Sequence, residues 1–163
     1  MAIPISEFWG ENLYDHPPLT EEMIEQAERL LGVKLPDDYL ELLRIQNGGC
    51  TQEFVFPAPT TSDPEACYHL HELNGIVPDT DHSTLLNVID PRLLPCIRGE
   101  IETPLYKQVP LTSDGHVFIT LDYRNGPVPA VAYIDIECDS EEIIAPSFAA
   151  FLDGLMPDPC VWE

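Results

Sequence analysis

Apolar residues recur at helical spacing from residue 19 onward, and this is the clearest local pattern in the chain. Ile24, Ala27, Leu30 and Leu31 fall on one helical face. Thr20 is placed to cap that helix, Glu21 and Glu22 put negative charge in its first turn, and Leu19 can staple to Ile24. Gly32 is placed to close it in the left-handed conformation. Pro36, favourable in a first turn, introduces a second helix expected over residues 37–46. Tyr39, Leu40, Leu42, Leu43 and Ile45 cover a broad face of this helix, and Asn47-Gly48-Gly49 stops it. Two helices joined so tightly predict a corner or hairpin.

Beyond Gly49 the period shortens. Phe54 and Phe56 face one way with Val55 opposite, which predicts a short strand ending at Pro57, followed by a loop over 57–65. Cys67–Leu73 is a second candidate strand. Residues 74–82 turn through Asn74-Gly75 and an acidic patch, and 85–94 fit a short helix or extended chain equally well. Residues 106–111 read as a strand at an edge or end position, because Pro110 lacks an amide hydrogen. The two best strands, 117–123 and 128–136, form a hairpin across Arg124-Asn125-Gly126-Pro127. Ser147 then precedes Phe148, Phe151, Leu152 and Leu155 at helical spacing, with Pro146 either opening this helix or separating it from 141–145. After Met156 the chain is expected to fray, with Val161-Trp162 able to dock. Residues 1–18 are irregular, with Phe8, Trp9, Leu13 and Tyr14 expected to bury against the body. The order is an N-terminal helical pair, a central and mostly antiparallel sheet, and a C-terminal helix: one α+β domain over residues 1–163.

Charge narrows the function. Seven Lys and Arg face 29 Asp and Glu, a formal net charge of -22. Seven scattered basic residues cannot supply the footprint that neutralises a duplex backbone, and attraction to anionic lipid is disfavoured for the same reason. The excess acid suits a basic protein partner or plain solubility. The N-terminus shows no basic and apolar leader pattern, and no stretch approaches the ~20 apolar residues of a spanning helix. Five cysteines without a CxxC pair read as reduced thiols, so the cytoplasm is the expected compartment.

Candidate chemistry is sparse. Cys67, His69 and His71 alternate, so a strand would put all three on one face, and thiolate and imidazole are sound zinc ligands. Cys67 and His71 would then lie ~13 Å apart, so a metal would need another partner such as His116. The plainer reading is a strand face with a buried small cysteine and marginal histidines. Asp79, Asp81 and Ser83 resemble the start of a calcium loop, but its glycine is missing and its last position is Asp90. Asp122, Asp135, Glu137 and Asp139 could pair as acid and base, yet chance pairs are expected among 29 carboxylates. No nucleophile elbow, phosphate-cradling loop or HExxH is present. The expectation is no catalytic residue, no cofactor and no resident metal.

Several blocks nonetheless form a pattern. Leu19-Thr20-Glu21-Glu22, Ile24 to Glu28, Leu31-Gly32-Val33-Lys34-Leu35-Pro36-Asp37-Asp38-Tyr39 and Asn47-Gly48-Gly49 closely resemble the signature of the SMI1/KNR4 family, also called the SUKH superfamily. Asp114-Gly115 with Phe118-Ile119-Thr120-Leu121-Asp122-Tyr123, the run from Pro129 to Asp135, and Ser147-Phe148 with Phe151-Leu152 resemble its later blocks. The resemblance covers about residues 19–155. It implies a bacterial immunity-type protein that occludes a cognate toxin domain, a nuclease among the candidates, without catalysis. Fungal members look like regulatory scaffolds, which gives the alternative of a scaffold binding a cellular partner; a small metal-dependent hydrolase is a further alternative.

The matched residues read as structural, with Gly32, Pro36, Gly48 and Gly49 shaping helix ends and Leu31, Leu35, Tyr39, Phe148 and Phe151 filling the core. Interface candidates are acids expected to be exposed on or near the sheet, namely Asp79, Asp81, Asp114, Asp122, Glu137 and Asp139. Tyr68, Tyr106 and Tyr123 are candidate aromatic anchors among them. For each acid, a solvated carboxylate without special role is the plainer reading.

Overall fold

A computed structural model describes residues 3–78 and 86–160. The first helix, α1 (Glu21–Leu31), begins where the capping pattern places it: Thr20 Oγ1 accepts from the Met23 amide at 3.2 Å, and Gly32 closes the helix with φ 73°. Its stripe Ile24, Ala27 and Leu31 is buried. Helix α2 (Asp37–Ile45) follows Pro36 and buries Tyr39, Leu40, Leu42 and Leu43.

Gly49 then opens a strand as well as ending a helix. Strand β1 (Gly49–Pro57) pairs antiparallel with β2 (Cys67–Leu73), with a register shift between Cys50 and Phe54 where Glu53 adopts φ 64°. After a short helix, α3 (Leu94–Ile97), come β3 (Gln108–Ser113), β4 (Val117–Asp122), β5 (Ala130–Asp135) and β6 (Ser140–Ala145). These four form an antiparallel sheet in sequence order, with β3 at its edge as Pro110 requires. Ser147 Oγ accepts from the Ala150 amide at 3.1 Å and caps α4 (Phe148–Gly154), so Pro146 separates β6 from this helix. Within the described residues the chain does not fray after Met156: β7 (Met156–Pro157) pairs with β1, and Asp158 N donates to Glu53 O, while Val161 and Trp162 lie outside the described residues. The central sheet is therefore two sheets, β2-β1-β7 and β3-β4-β5-β6.

One main core lies between the helices and the inner faces of both sheets, from Phe8 and Tyr39 to Leu70, Leu121, Val131 and Phe151. A small second cluster of Leu105, Phe118 and Ile134 lies on the other face of the second sheet, with Leu93 and Cys96 packed against it. The N-terminal arm buries as expected at Phe8, which stacks on Phe54 at 5.5 Å, and at Trp9, whose Nε1 donates to Leu42 O. Leu13 does not; it is 65% exposed, beyond the point where Gly10 lies too close to the Thr51 carbonyl to carry a side chain.

The two sheets and the helices meet at three buried asparagines. Asn47 Nδ2 donates to Ile76 O at 2.8 Å and to Pro17 O at 2.9 Å, while its Oδ1 accepts from Ile76 N at 2.8 Å. Asn74 N donates to Leu111 O and its Nδ2 to Pro110 O, which ties the end of β2 to β3. The Tyr39 hydroxyl closes on Asn74 O at 2.5 Å. Asn87 copies the first arrangement, with Oδ1 accepting from Val77 N and Nδ2 donating to Val77 O. Asn47-Gly48 and Asn74-Gly75 cross in contact. A Cβ on Gly48 would sit 2.4 Å from Gly75 N, and one on Gly75 would sit 2.2 Å from Asn47 O. Asn47→Ala should therefore cost about 3 kcal/mol, because it orphans buried backbone groups. The exposed Asn125→Ala should cost less than about 0.5 kcal/mol, and urea unfolding of both variants measures the contrast.

Candidate functional site

Alternation along β2 divides its side chains. Leu70 enters the core and Tyr68 reaches the core's margin, while His69 and His71 are exposed. Tyr68 stacks on Tyr133 of β5, ring centroids 4.1 Å apart, and so bridges the two sheets. Its hydroxyl donates to Glu142 on β6. Burial and that carboxylate push the Tyr68 phenol well above its ordinary pKa. Beside the aromatic pair lies a groove of about 260 Å³, bordered on one side by His69, His71 and Glu72 and on the other by Thr112, Asp114 and Tyr133.

The far rim of this groove is acidic. Asp114 sits in the β3–β4 turn with its side chain 76% exposed, 3.7 Å from His116 Nδ1. Ile136 N donates to His116 O, which holds the β5–β6 turn against the β3–β4 turn and brings Glu137 and Asp139 to the same end of the sheet. Asp135 Oδ1 accepts from both the Glu137 and Cys138 amides, and these hydrogen bonds hold its carboxyl below the ordinary range. The two turns thus put Asp114, Glu137 and Asp139 at one end of the sheet, and of the three Asp114 lines the groove beside Tyr68 and Tyr133. Asp79 and Asp81, with Ser83, lie outside the described residues.

Asp122 and Tyr123 lie elsewhere, and their expected exposure is corrected. Asp122 ends β4 with its side chain 1% exposed and is held by Arg124, which also pairs with Glu141 of β6. The strand's alternation puts it with Phe118 and Thr120 on the face away from the main core, beside buried Gln108 and Thr120, whose polar atoms meet at 2.6 Å. Tyr123 is buried too, its hydroxyl donating to Lys34 O at 2.6 Å and thereby tying β4 to the link between α1 and α2. Both residues position elements. Tyr106 is 43% exposed, but packs beside Gly99 and Lys107, away from the acidic turns.

The alternating histidines do share a face: their rings stack at 5.1 Å, and Cys67 Sγ lies 3.8 Å from His69 Nε2. Their inner nitrogens have carboxylate partners, His69 Nδ1 at 3.0 Å from Asp158 and His71 Nδ1 at 2.7 Å from Glu53. The Cys160 amide and His69 hold the Asp158 carboxyl below its ordinary pKa. Among the described residues, no three His, Cys, Asp or Glu are arranged to hold a metal ion. Sequence reasoning missed Tyr133 and Glu142. Tyr133 was visible only as one apolar position in a strand, and its pairing with Tyr68 follows from how the sheets meet.

The buried Asp122–Arg124 pair predicts a pH dependence. Burial alone would raise the Asp122 pKa, but the Arg124 hydrogen bonds and charge outweigh it and hold it below the ordinary value. A depressed carboxylate stabilises the fold at and above its unfolded pKa and loses that contribution as pH falls through the folded one. Asp122→Asn should cost about 2 kcal/mol near neutrality. The gap from wild type should close as pH falls below about 4, as measured by chemical denaturation across pH.

Compared with known proteins, residues 18–154 match the model of the SMI1 / KNR4 family (SUKH-1). Neither a curated protein sequence nor a solved structure matches the chain. Among the described residues no helix is long and apolar enough to cross a membrane.

Proposed function

The chain belongs to the SMI1/KNR4 (SUKH-1) family, and from that premise we propose that it is a non-catalytic binding protein that neutralises a basic toxin domain, a nuclease among the candidates, in the cytoplasm. The observation that carries this reading is the Tyr68–Tyr133 stack set beside an acidic rim. Interface anchors are typically aromatic side chains surrounded by polar groups, and here the pair is held rigid by Glu142 and by both sheets. Asp114, Glu137 and Asp139 supply charge of the sign that a nucleic-acid-binding face would meet. Tyr106, Asp79 and Asp81 remain candidates for a wider contact.

Occlusion needs no reacting group. A protein of net charge -22 competes with a polyanionic substrate for the same basic face, and its field accelerates encounter. The rim acids would act mainly on the association rate, whereas the tyrosine pair would act on the lifetime of the complex.

The test is titration of the protein into a panel of catalytically disabled, basic nuclease-type toxin domains, with binding followed by calorimetry and rates by stopped flow. One domain should bind at one-to-one stoichiometry. Joint replacement of Asp114, Glu137 and Asp139 by their amides should slow association several-fold and flatten its salt dependence, with dissociation nearly unchanged. Tyr133→Ala should weaken binding by about 2 kcal/mol through faster dissociation. Binding that is indifferent to salt and to all four positions would remove this surface from the account.

A further inference from the structure

The basic residues are as unevenly placed as they are few. A cleft of about 1180 Å³ opens between the C-terminal end of α1, the α1–α2 link, the segment around α3 and the β4–β5 turn. Fifteen residues line it, under a tenth of the chain, yet they include Arg29, Lys34, Arg98, Lys107 and Arg124, five of the seven basic residues. Scatter over the surface would put fewer than one there, so the basic residues are concentrated at this cleft, whose lining also holds Glu25 and Glu28.

Three of the five cations are committed. Lys34 pairs with Glu28, Arg98 with Glu100 at 3.0 Å, and Arg124 with Asp122 and Glu141. Glu28, one of two carboxylates lining the cleft, is also committed, its other oxygen accepting from the Leu35 amide at 3.0 Å. Arg29 and Lys107 have no carboxylate partner among the described residues. Lys107 also stands at φ 52°, a left-handed backbone that costs a non-glycine residue energy. That conformation is fixed by the Lys107 amide donating to Ile97 O and the Tyr123 amide donating to Lys107 O. Between the cations the cleft floor is apolar, with Val33 half-buried over the core residues Leu31, Ile97 and Val109.

We infer that this cleft is a second binding site, one that takes an acidic and part-apolar peptide segment of a partner protein, with Arg29 and Lys107 receiving its carboxylates. A compact phosphate suits it poorly. Phosphate sites gather backbone amides and cations around one point, whereas the cations here come from α1, the α1–α2 link, the segment around α3 and the β4–β5 turn. Singly charged carboxylates spaced among apolar residues fit both the separated cations and the apolar lining. This assignment is independent of the acidic rim, and the two can fail separately.

The test uses the full chain, labelled with 15N, titrated with a short peptide alternating glutamate with leucine. The same peptide with glutamine for glutamate and inorganic phosphate are the comparisons. The glutamate peptide should saturably shift the amides of Arg29, Lys34, Lys107 and Gly126, while the glutamine peptide should not. Arg29→Gln and Lys107→Asn should each weaken that binding about three- to five-fold. Asparagine tolerates the left-handed backbone, so the second variant removes the charge and keeps the fold, which an unchanged remaining spectrum would verify. Shifts confined to other surfaces, no shift at all, or equal affinity of the variants would overturn the proposal. So would phosphate competing for the same residues as well as the peptide does, which would assign the cleft to compact anions.

Discussion

The structure turns on the crossing of Asn47-Gly48 with Asn74-Gly75. Two backbones approach there too closely for any side chain, and their polar groups are satisfied by buried amide side chains. The crossing fixes the end of α2 against the end of β2, and Asn74 in turn fixes β2 against β3. The angle between the two sheets, and so the placing of Tyr68 over Tyr133, follows from these hydrogen bonds. A protein that neutralises a partner by shape needs such a preformed surface, because each group it must order on binding lowers affinity.

Electrostatics act on two scales. Inside, one cation reaches a buried acid: Arg124, itself at the surface, pairs with buried Asp122 and reaches Glu141 on the edge strand β6. Outside, most of the excess acid is uncompensated, and Asp114, Glu137 and Asp139 collect at one end of the second sheet. Acidic side chains along β6 also keep that open edge from pairing with another chain. The cleft beside the β4–β5 turn gathers five of the seven basic residues.

Much of this was legible in the sequence where local chemistry decides the outcome. The caps at Thr20 and Ser147, the left-handed Gly32, the edge position forced by Pro110 and the β4–β5 hairpin all follow from rules acting within a few residues. The misses share a different cause. Strand β6 carries Ser140-Glu141-Glu142 on an exposed edge and shows no alternation, and β7 is two residues long and exists only because β1 offers a partner. Asp122 looked like an exposed acid because its burial depends on Arg124 and on the second face of β4 being covered as well. The Tyr68–Tyr133 pair joins residues far apart in the chain, and the cleft gathers its cations from four segments. Neither leaves a local signal.

The most direct measurement is hydrogen–deuterium exchange of the protein, free and in complex with whichever domain of the toxin panel it is found to bind. The account predicts new protection in β2 around Tyr68, in β5 around Tyr133 and in the β3–β4 and β5–β6 turns, with α1 and α2 unchanged. Protection confined to the helical pair, with those strands and turns exchanging as in the free protein, would contradict it.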